Sequence, residues 1–337
     1  MATIIDVAKK AGVSKSTVSN VFSKKRPIGQ AVTRRVLEAA KELGYRPTYW
    51  AKSQGQPKHR IIGLLLQHQT PLTGFHFLLI SGIVEACREY GYRLLFNTVP
   101  QAWTVEPSYV ADSPVDGEIV LDPKQRDTRI DERIKQGMPM VVIGRPPLAY
   151  AAHLSSVDND NIGAAQQVTD YLLELGHTDI AFFNAQQDTT VAMVREAGYR
   201  SAYLARGLKV KDRLLLYKNG GEAAETDDLL LMKLLNSGSR PSAIITDSDL
   251  EAAAVYRIAK ELGINIPGDL SVFAILDTGE ASAELRPELS TVELRAEDLG
   301  FEAAKLLIER CEGRSKQVKQ VNIGTELKRK GSCTKKT

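Results

Sequence analysis

No stretch of this 337-residue sequence approaches the ~20 consecutive apolar residues that a membrane-spanning helix requires, so no membrane partner is expected. The N-terminus, MATIIDVAKK, lacks the basic leader and apolar stretch of a secretory signal, which points to a cytoplasmic protein. Cysteine is scarce. Cys87, Cys311 and Cys333 are odd in number and widely spaced, and they form neither a CxxC pair nor a metal-ligand spacing. Reduced thiols and no metal are expected. The five histidines (His59, His68, His76, His153 and His177) do not cluster. There is no GxGxxG after a strand, no GxxxxGK(S/T), no GxSxG and no HExxH. An enzyme and a bound cofactor are therefore not expected.

What is present is a charge asymmetry. Residues 1–60 carry 13 Lys/Arg against 3 Asp/Glu, while the remaining residues carry 31 against 38. A basic head on a mildly acidic body is the electrostatic footprint of a nucleic-acid-binding module. Charge alone fits a solvated basic face equally well, and the pattern inside the head decides between them.

Residues 4–11, IIDVAKKA, read as a short helix with Ile4, Val7, Ala8 and Ala11 on one stripe. Thr3 stands at its N-cap and Asp6 in its first turn. Gly12 breaks the helix where a tight turn tolerates a left-handed residue. Ser14 caps the next helix, Lys15–Phe22, whose inward residues are Val18, Val21 and Phe22. The spacing Ala8, Gly12, Val18 fits a helix-turn-helix: a small residue for close crossing, a turn, and an apolar lock. Lys15, Ser16, Thr17, Ser19 and Asn20 point outward, suited to base edges and phosphates in a major groove. A third helix, about Ala31–Leu43, ends at Gly44 and is expected to bury Val32, Val36, Leu37 and Ala40.

The segments TIIDVAKKAGVSKSTVSNVF and VLEAAKELGYRP resemble the head of the lactose/galactose repressor (LacI/GalR) family over residues 3–47. The resemblance implies a DNA-binding set of Thr3, Lys15, Ser16, Thr17, Ser19 and Asn20, with Thr17 and Ser19 on phosphates and Lys15, Ser16 and Asn20 on bases. Asn stands at position 20 where relatives commonly have Arg; Asn suits adenine and Arg guanine. Residues 48–60 form the linker, in which the family carries a hinge helix with an apolar Leu wedged into the minor groove. Here Lys52 matches approximately, and the wedge position is Gln54. Gln is a poor wedge but can hydrogen-bond in the groove; Trp50 is the alternative, and a plain flexible linker fits the composition too.

From Arg60 onward apolar runs alternate with amphipathic segments. Strands are expected at Ile61–Leu66, Arg93–Asn97, Glu118–Leu121, Met140–Ile143, Ile180–Phe183, Leu214–Tyr217, Ala243–Thr246 and Ser271–Leu276. Helices are expected at Phe75–Tyr90, Ile162–Leu175, Val191–Arg206, Glu222–Asn236 and Leu250–Leu262. This is the α/β rhythm of parallel sheets covered on both faces. Segments such as SSVDNDNIGAAQQVTDYLLELGHTDIAF and RPELSTVEL stand in the order of the same family. They imply a periplasmic-binding-protein-like domain over 61–327, with lobe 1 about 61–158 plus 291–319 and lobe 2 about 159–290 plus 320–327. Crossings are expected near 156–162, 284–291 and 318–325, followed by a polar tail at 328–337.

The effector set carried over is Gln67, Phe75, Arg145, Arg195, Ser248 and Asp249. Arg195 leads, because a guanidinium makes bidentate bonds to hydroxyls or carboxylates. Phe75 suits core or ligand stacking equally, and Asp249 suits a helix cap as well. Leu276 stands where relatives that bind neutral sugars or nucleobases commonly have Asp. Arg195, Arg145 and Lys218 together suggest an anion, such as a sugar phosphate or sugar acid. The resemblance further implies a homodimer on a near-palindromic operator, regulation of carbohydrate-related genes, and allosteric control of DNA affinity. An exported solute-binding protein is the rival, but it would not carry residues 1–47.

Overall fold

The computed structural model describes residues 3–23, 26–43, 45, 59–67, 72–99, 114–219 and 224–336. The N-terminal head and the body form separate compact units.

The head is three helices, α1 (Ile4–Ala11), α2 (Lys15–Ser23) and α3 (Gln30–Glu42). Thr3 and Asp6 close a capping box on α1, and Gly12, at φ 65°, ends it in the left-handed region. The Thr17 N–H bonds to Ser14 Oγ at 3.1 Å, so Ser14 caps α2. Val7, Ala8, Ala11, Val18, Val21, Val36, Ala39 and Ala40 form the core. Leu37, expected inside, is 49% exposed, and Ala39 takes the buried position. The stripe runs through 32, 36, 39/40 and 43, which leaves position 37 on the flank.

The body holds two sheets of six strands each. In chain order the strands are β1 (Ile61–Gln67), β2 (Arg93–Val99), β3 (Gly117–Leu121), β4 (Met140–Ile143), β5 (Ser155–Asn159), β6 (Ile180–Asn184), β7 (Leu215–Tyr217), β8 (Ala243–Ser248), β9 (Ser271–Leu276), β10 (Ser290–Glu293), β11 (Gln320–Ile323) and β12 (Glu326–Lys328). The helices between them are α4 (Gly74–Tyr90), α5 (Thr128–Gln136), α6 (Asn161–Glu174), α7 (Thr190–Ala205), α8 (Ala224–Leu235), α9 (Asp249–Glu261) and α10 (Ala296–Cys311). The first sheet runs β11-β5-β4-β3-β1-β2 and the second β12-β10-β9-β8-β6-β7. All pairings are parallel except β10 with β12. Each sheet is buried on both faces, which is why its inner strands read as unbroken apolar runs. On one face of the second sheet Ala181, Phe183, Ile244 and Val272 meet α8 and α9. On the other, Ile180, Phe182, Ile245 and Phe273 meet α6 and α7.

The chain crosses between the lobes three times, after β5, β10 and β11. The crossings are stitched together: Asn159 Nδ2 donates to Leu294 O at 2.7 Å, and Asp160 N to Ile323 O at 3.1 Å. The second crossing falls at 294–295 rather than within 284–291, because Ser290 and Thr291 pair with β9 in the second sheet. β11 joins the first sheet through β5, so residues 320–323 lie with lobe 1. The polar tail is also part of the second lobe. Ser332 is fully buried, its Oγ donating to Val272 O at 2.6 Å, and Lys336 N donates to Leu175 O at 2.8 Å. His177 packs beneath it, between Ser242 Oγ and Thr334 O, both at 2.9 Å. Among the described residues no helix is long and apolar enough to cross a membrane.

Candidate functional site

Two regions collect polar side chains with no structural excuse for being there. The first is the outer face of α2. Lys15 and Ser16 are exposed, and Thr17, Ser19 and Asn20 are half-buried on a helix whose inner residues are Val18 and Val21. Ser14 Oγ links Ser16 Oγ at 2.7 Å and Thr17 Oγ1 at 2.9 Å, a hydroxyl cluster at the positive end of the helix. Thr3 is tied into its own cap, with Oγ1 donating to Asp6 Oδ2 at 2.7 Å. That bond holds the Asp6 carboxyl below its usual range. Lys52 and Gln54, and Trp50 beside them, lie outside the described residues, as does most of the short span between Asn97 and Val115.

The second region is the carboxyl end of the second sheet, at the point where the strand order reverses between β6 and β8. Ligands of open α/β sheets bind at such points. Arg195, in α7, is 4% exposed. Its Nη1 donates to Asp247 Oδ1 at 2.5 Å and its Nε to Asn161 Oδ1 at 2.9 Å. Asn161 passes the chain on, donating through Nδ2 to Asp158 Oδ1 at 2.9 Å. Asp247 Oδ2 also accepts from Lys218 Nζ at 3.2 Å, and Lys218 pairs with Glu251 at 2.8 Å. Burial opposes the Lys218 charge, but Asp247 and Glu251 outweigh it and raise its pKa. Burial likewise opposes the Asp247 charge, yet Lys218 and Arg195 hold its carboxyl below the usual range.

Asp158 stands at the first crossing. Burial lifts its carboxyl to about 6, against the pull of Asn159 N, Arg195, Asn161 and Arg145. A carboxyl raised above its unfolded value of about 3.9 binds its proton more tightly in the native state. Its contribution to stability therefore declines as pH climbs from about 4 to about 6 and is flat above that. Asp158→Asn keeps an Oδ1 to accept from Asn159 N and Asn161 Nδ2, and it removes the titration. The variant is expected to melt higher than the parent near neutral pH and to lose that advantage near pH 4. Melting curves at the two pH values measure it; the same difference at both would reject the assignment.

The lobes meet in front of this cluster. Thr190 N donates to Pro123 O at 3.1 Å, Gln125 N to Asp188 O at 2.9 Å, and Lys124 pairs with Asp188 at 2.7 Å. Gly74 lies so close to Thr278 that a Cβ would sit 1.8 Å from its carbonyl oxygen. Phe75, half-buried, packs against the cores of both lobes. Arg145 follows β4 and is exposed, with no hydrogen bond or ion pair among the described residues. Gln67 ends β1; its side chain lies outside the described residues.

Ser248 and Asp249 are otherwise engaged. Ser248 is the N-cap of α9, its Oγ donating to Glu251 Oε2 at 2.5 Å. Asp249 is fully buried, accepting from Thr278 N and Oγ1 on one oxygen and from Ala281 N and Ser282 N on the other. It anchors the loop after β9 and has no oxygen left for a ligand. Asp277, next to Leu276, is also taken up by its own loop, accepting from Gly279 N and Ser282 Oγ. Among the described residues no group of three or more His, Cys, Asp or Glu could hold a metal.

Residues 3–48 match the bacterial regulatory proteins of the lacI family, and residues 169–333 match a periplasmic binding protein-like domain. The ribose operon repressor of Escherichia coli (strain K12) is 32% identical, spanning 99% of this chain and all of the relative. The chain belongs to the LacI family. The HTH-type transcriptional regulator CelR of Thermobifida fusca is 29% identical over 96% of each chain. The solved complex of CelR with cellobiose superposes with a TM-score of 0.76 at 27% identity, covering 98% of this chain and 100% of that one. The LacI-family assignment makes the chain a DNA-binding transcriptional repressor with an effector-binding domain.

Of this cluster the sequence singled out Arg195 but not Asn161, Asp158, Asp247 or Glu251, which the fold brings to it. Their signal was weak, because the five groups come from three chain segments that only the sheet topology brings together. Lys218 was visible, but its two acidic partners were not. The two cations of this cluster are already paired: Arg195 and Lys218 face Asp247, Glu251 and Asp158.

Proposed function

We propose that this chain represses carbohydrate-related genes from the cytoplasm. In this reading it binds a near-palindromic operator as a homodimer and is released or retained by a small neutral sugar. It acts by binding and not by catalysis. Thr17 and Ser19 hold phosphates, while Lys15, Ser16 and Asn20 address base edges from α2. Lys52 and Gln54 contact the operator centre from the linker. Gln67, Phe75, Arg145 and Arg195 line the effector cleft, joined by Asn161 and Asp247; Ser248 and Asp249 support it.

The observation that carries the effector class is the self-neutralised cluster around Arg195. A sugar phosphate or sugar acid would have to compete with the carboxylates already paired to Arg195 and Lys218. A hydroxyl can accept from the remaining guanidinium N–H groups and donate to the free carboxylate lone pairs, leaving the ion pairs intact. The sugars in the relatives' names, ribose and cellobiose, are both uncharged.

Calorimetry with D-ribose, cellobiose and ribose 5-phosphate tests this reading, followed by operator release under each. Binding of a neutral sugar with a shift in operator affinity of about 5- to 150-fold is expected, the usual range of allosteric coupling. Tight binding of the phosphate alone would restore the anionic reading.

A further inference from the structure

Asp247 sits at the C-terminal end of β8, where the second sheet reverses its strand order, and it is 9% exposed. Each of its oxygens holds a different cation: Oδ1 takes Arg195 Nη1 at 2.5 Å, and Oδ2 takes Lys218 Nζ at 3.2 Å. Arg195 comes from α7 and Lys218 from the segment after β7, so one carboxylate joins three separate stretches of chain. Glu251, one turn into α9, closes the pattern on Lys218 at 2.8 Å. Nothing in the packing requires two cations here. Both aliphatic stems could lie against the apolar core, and a Leu or Met would fill the same space at lower desolvation cost.

We infer that Asp247 sets the charge class of the effector: it occupies, as a tethered anion, the place between Arg195 and Lys218 that a phosphate or carboxylate would otherwise take. This rests on the cleft being the effector site, and it adds that the discrimination resides in one residue. An anionic ligand approaching Arg195 meets a carboxylate already at charge-assisted bonding distance, and one approaching Lys218 meets a second, Glu251. It must displace the first and withstand the second. A neutral hydroxyl faces neither obstacle. Asp247 is thus a specificity residue acting through Arg195 and Lys218, as well as through any bond of its own to the ligand.

The change that exposes this role is Asp247→Asn. It keeps the size and one acceptor oxygen, and it leaves Glu251 on Lys218 and Asp158, through Asn161, beside Arg195. Three probes are titrated into the full-length protein and the variant by calorimetry: D-ribose, ribose 5-phosphate and inorganic phosphate. The parent is expected to bind inorganic phosphate undetectably and ribose 5-phosphate at least tenfold more weakly than ribose. The variant is expected to gain tenfold or more for both phosphates while losing affinity for ribose. Glu251→Gln, which keeps the capping oxygen for Ser248 and frees Lys218 from its second acid, should move phosphate affinity in the same direction by a smaller factor. It serves as the readout if the Asp247 variant does not fold. A general loosening of the fold would weaken every ligand, so a gain for phosphate separates the specificity role from a structural one.

If the parent binds no ribose but Asp247→Asn acquires phosphate affinity, the neutral-sugar reading falls and the role of Asp247 stands. If the folded variants keep the parent's ratio of ribose to phosphate, or bind none of the three probes, the role of Asp247 is overturned. A parent that already binds ribose 5-phosphate as tightly as ribose overturns it as well.

Discussion

Val18→Asp is expected to lower operator affinity by a factor of about 10³ or more, bringing it to the level of non-specific binding. Val18 is fully buried in the small core of the head, one of eight buried side chains among its described residues. An unpaired carboxylate there either ionises against several kcal/mol of desolvation or forces α2 out of contact with α1 and α3. A three-helix unit of this size has only a few kcal/mol in reserve. The body forms its own compact unit with its own cores, so its unfolding transition and its sugar affinity should stay at parental values. Anisotropy on a labelled operator and calorimetry on the same preparation check both halves. Operator affinity within tenfold of the parent would mean that the head does not bind DNA through this helix arrangement.

Arg133→Met should destabilise the body by about 3–5 kcal/mol, the usual result of removing one partner from a buried ion pair. Arg133 Nε bonds Glu118 Oε2 at 2.5 Å, with side chains 3% and 0% exposed. Without it the Glu118 carboxylate keeps, among the described residues, the bond from Asn97 Nδ2 at 2.9 Å. At roughly 2–4 °C per kcal/mol for a chain of this size, the melting temperature falls by about 10 °C. Adding Glu118→Gln retains the Asn97 bond and removes the stranded charge, so the double variant should recover most of the loss. Additive losses in the two single variants would show that the pair is not coupled. Gly63 lies beside the pair on β1, and a Cβ there would stand 3.0 Å from Glu118 Cγ.

The inner strands of both sheets were legible in the sequence because parallel strands covered on both faces must be apolar throughout, as in IIGLLL, MVVI and IAFF. The edge strands β2 and β7 were legible too, but the strands at the crossings were not. SSVDN, QVNI and ELK are held by backbone pairing and by polar bonds such as Asn159 to Leu294, which leave no periodic apolar trace. That difference moved the second crossing from 284–291 to 294–295. In the head, the capping residues Thr3, Asp6 and Ser14 and the turn at Gly12 could be read directly, since each satisfies a local backbone requirement. Leu37 could not be told from Ala39, because hydrophobicity ranks Leu first while the narrow stripe of a small bundle favours Ala.

The effector cleft divides along the same line. Arg195 was marked by resemblance, and Asp249 was carried over with it, a helix cap being its commoner fate. In the fold, Asp249 is consumed by four donors from the loop at 278–282, while Asp247, two residues earlier, is turned toward Arg195 and Lys218. Asp247 still lies on β8 whereas Asp249 opens α9, and the sequence does not say where the strand gives way to the helix. Charge content was therefore legible, but charge pairing was not.

The central claim is that this LacI-family chain reads a specific duplex sequence under effector control. Selection from a pool of random duplexes by the full-length protein tests it most directly, with a salt titration on the winner. The account predicts enrichment of one near-palindrome whose affinity falls steeply with salt as phosphate counterions are released, and which is bound differently when D-ribose or another neutral sugar is added. A pool that shows no enriched sequence, with and without sugar, would contradict it.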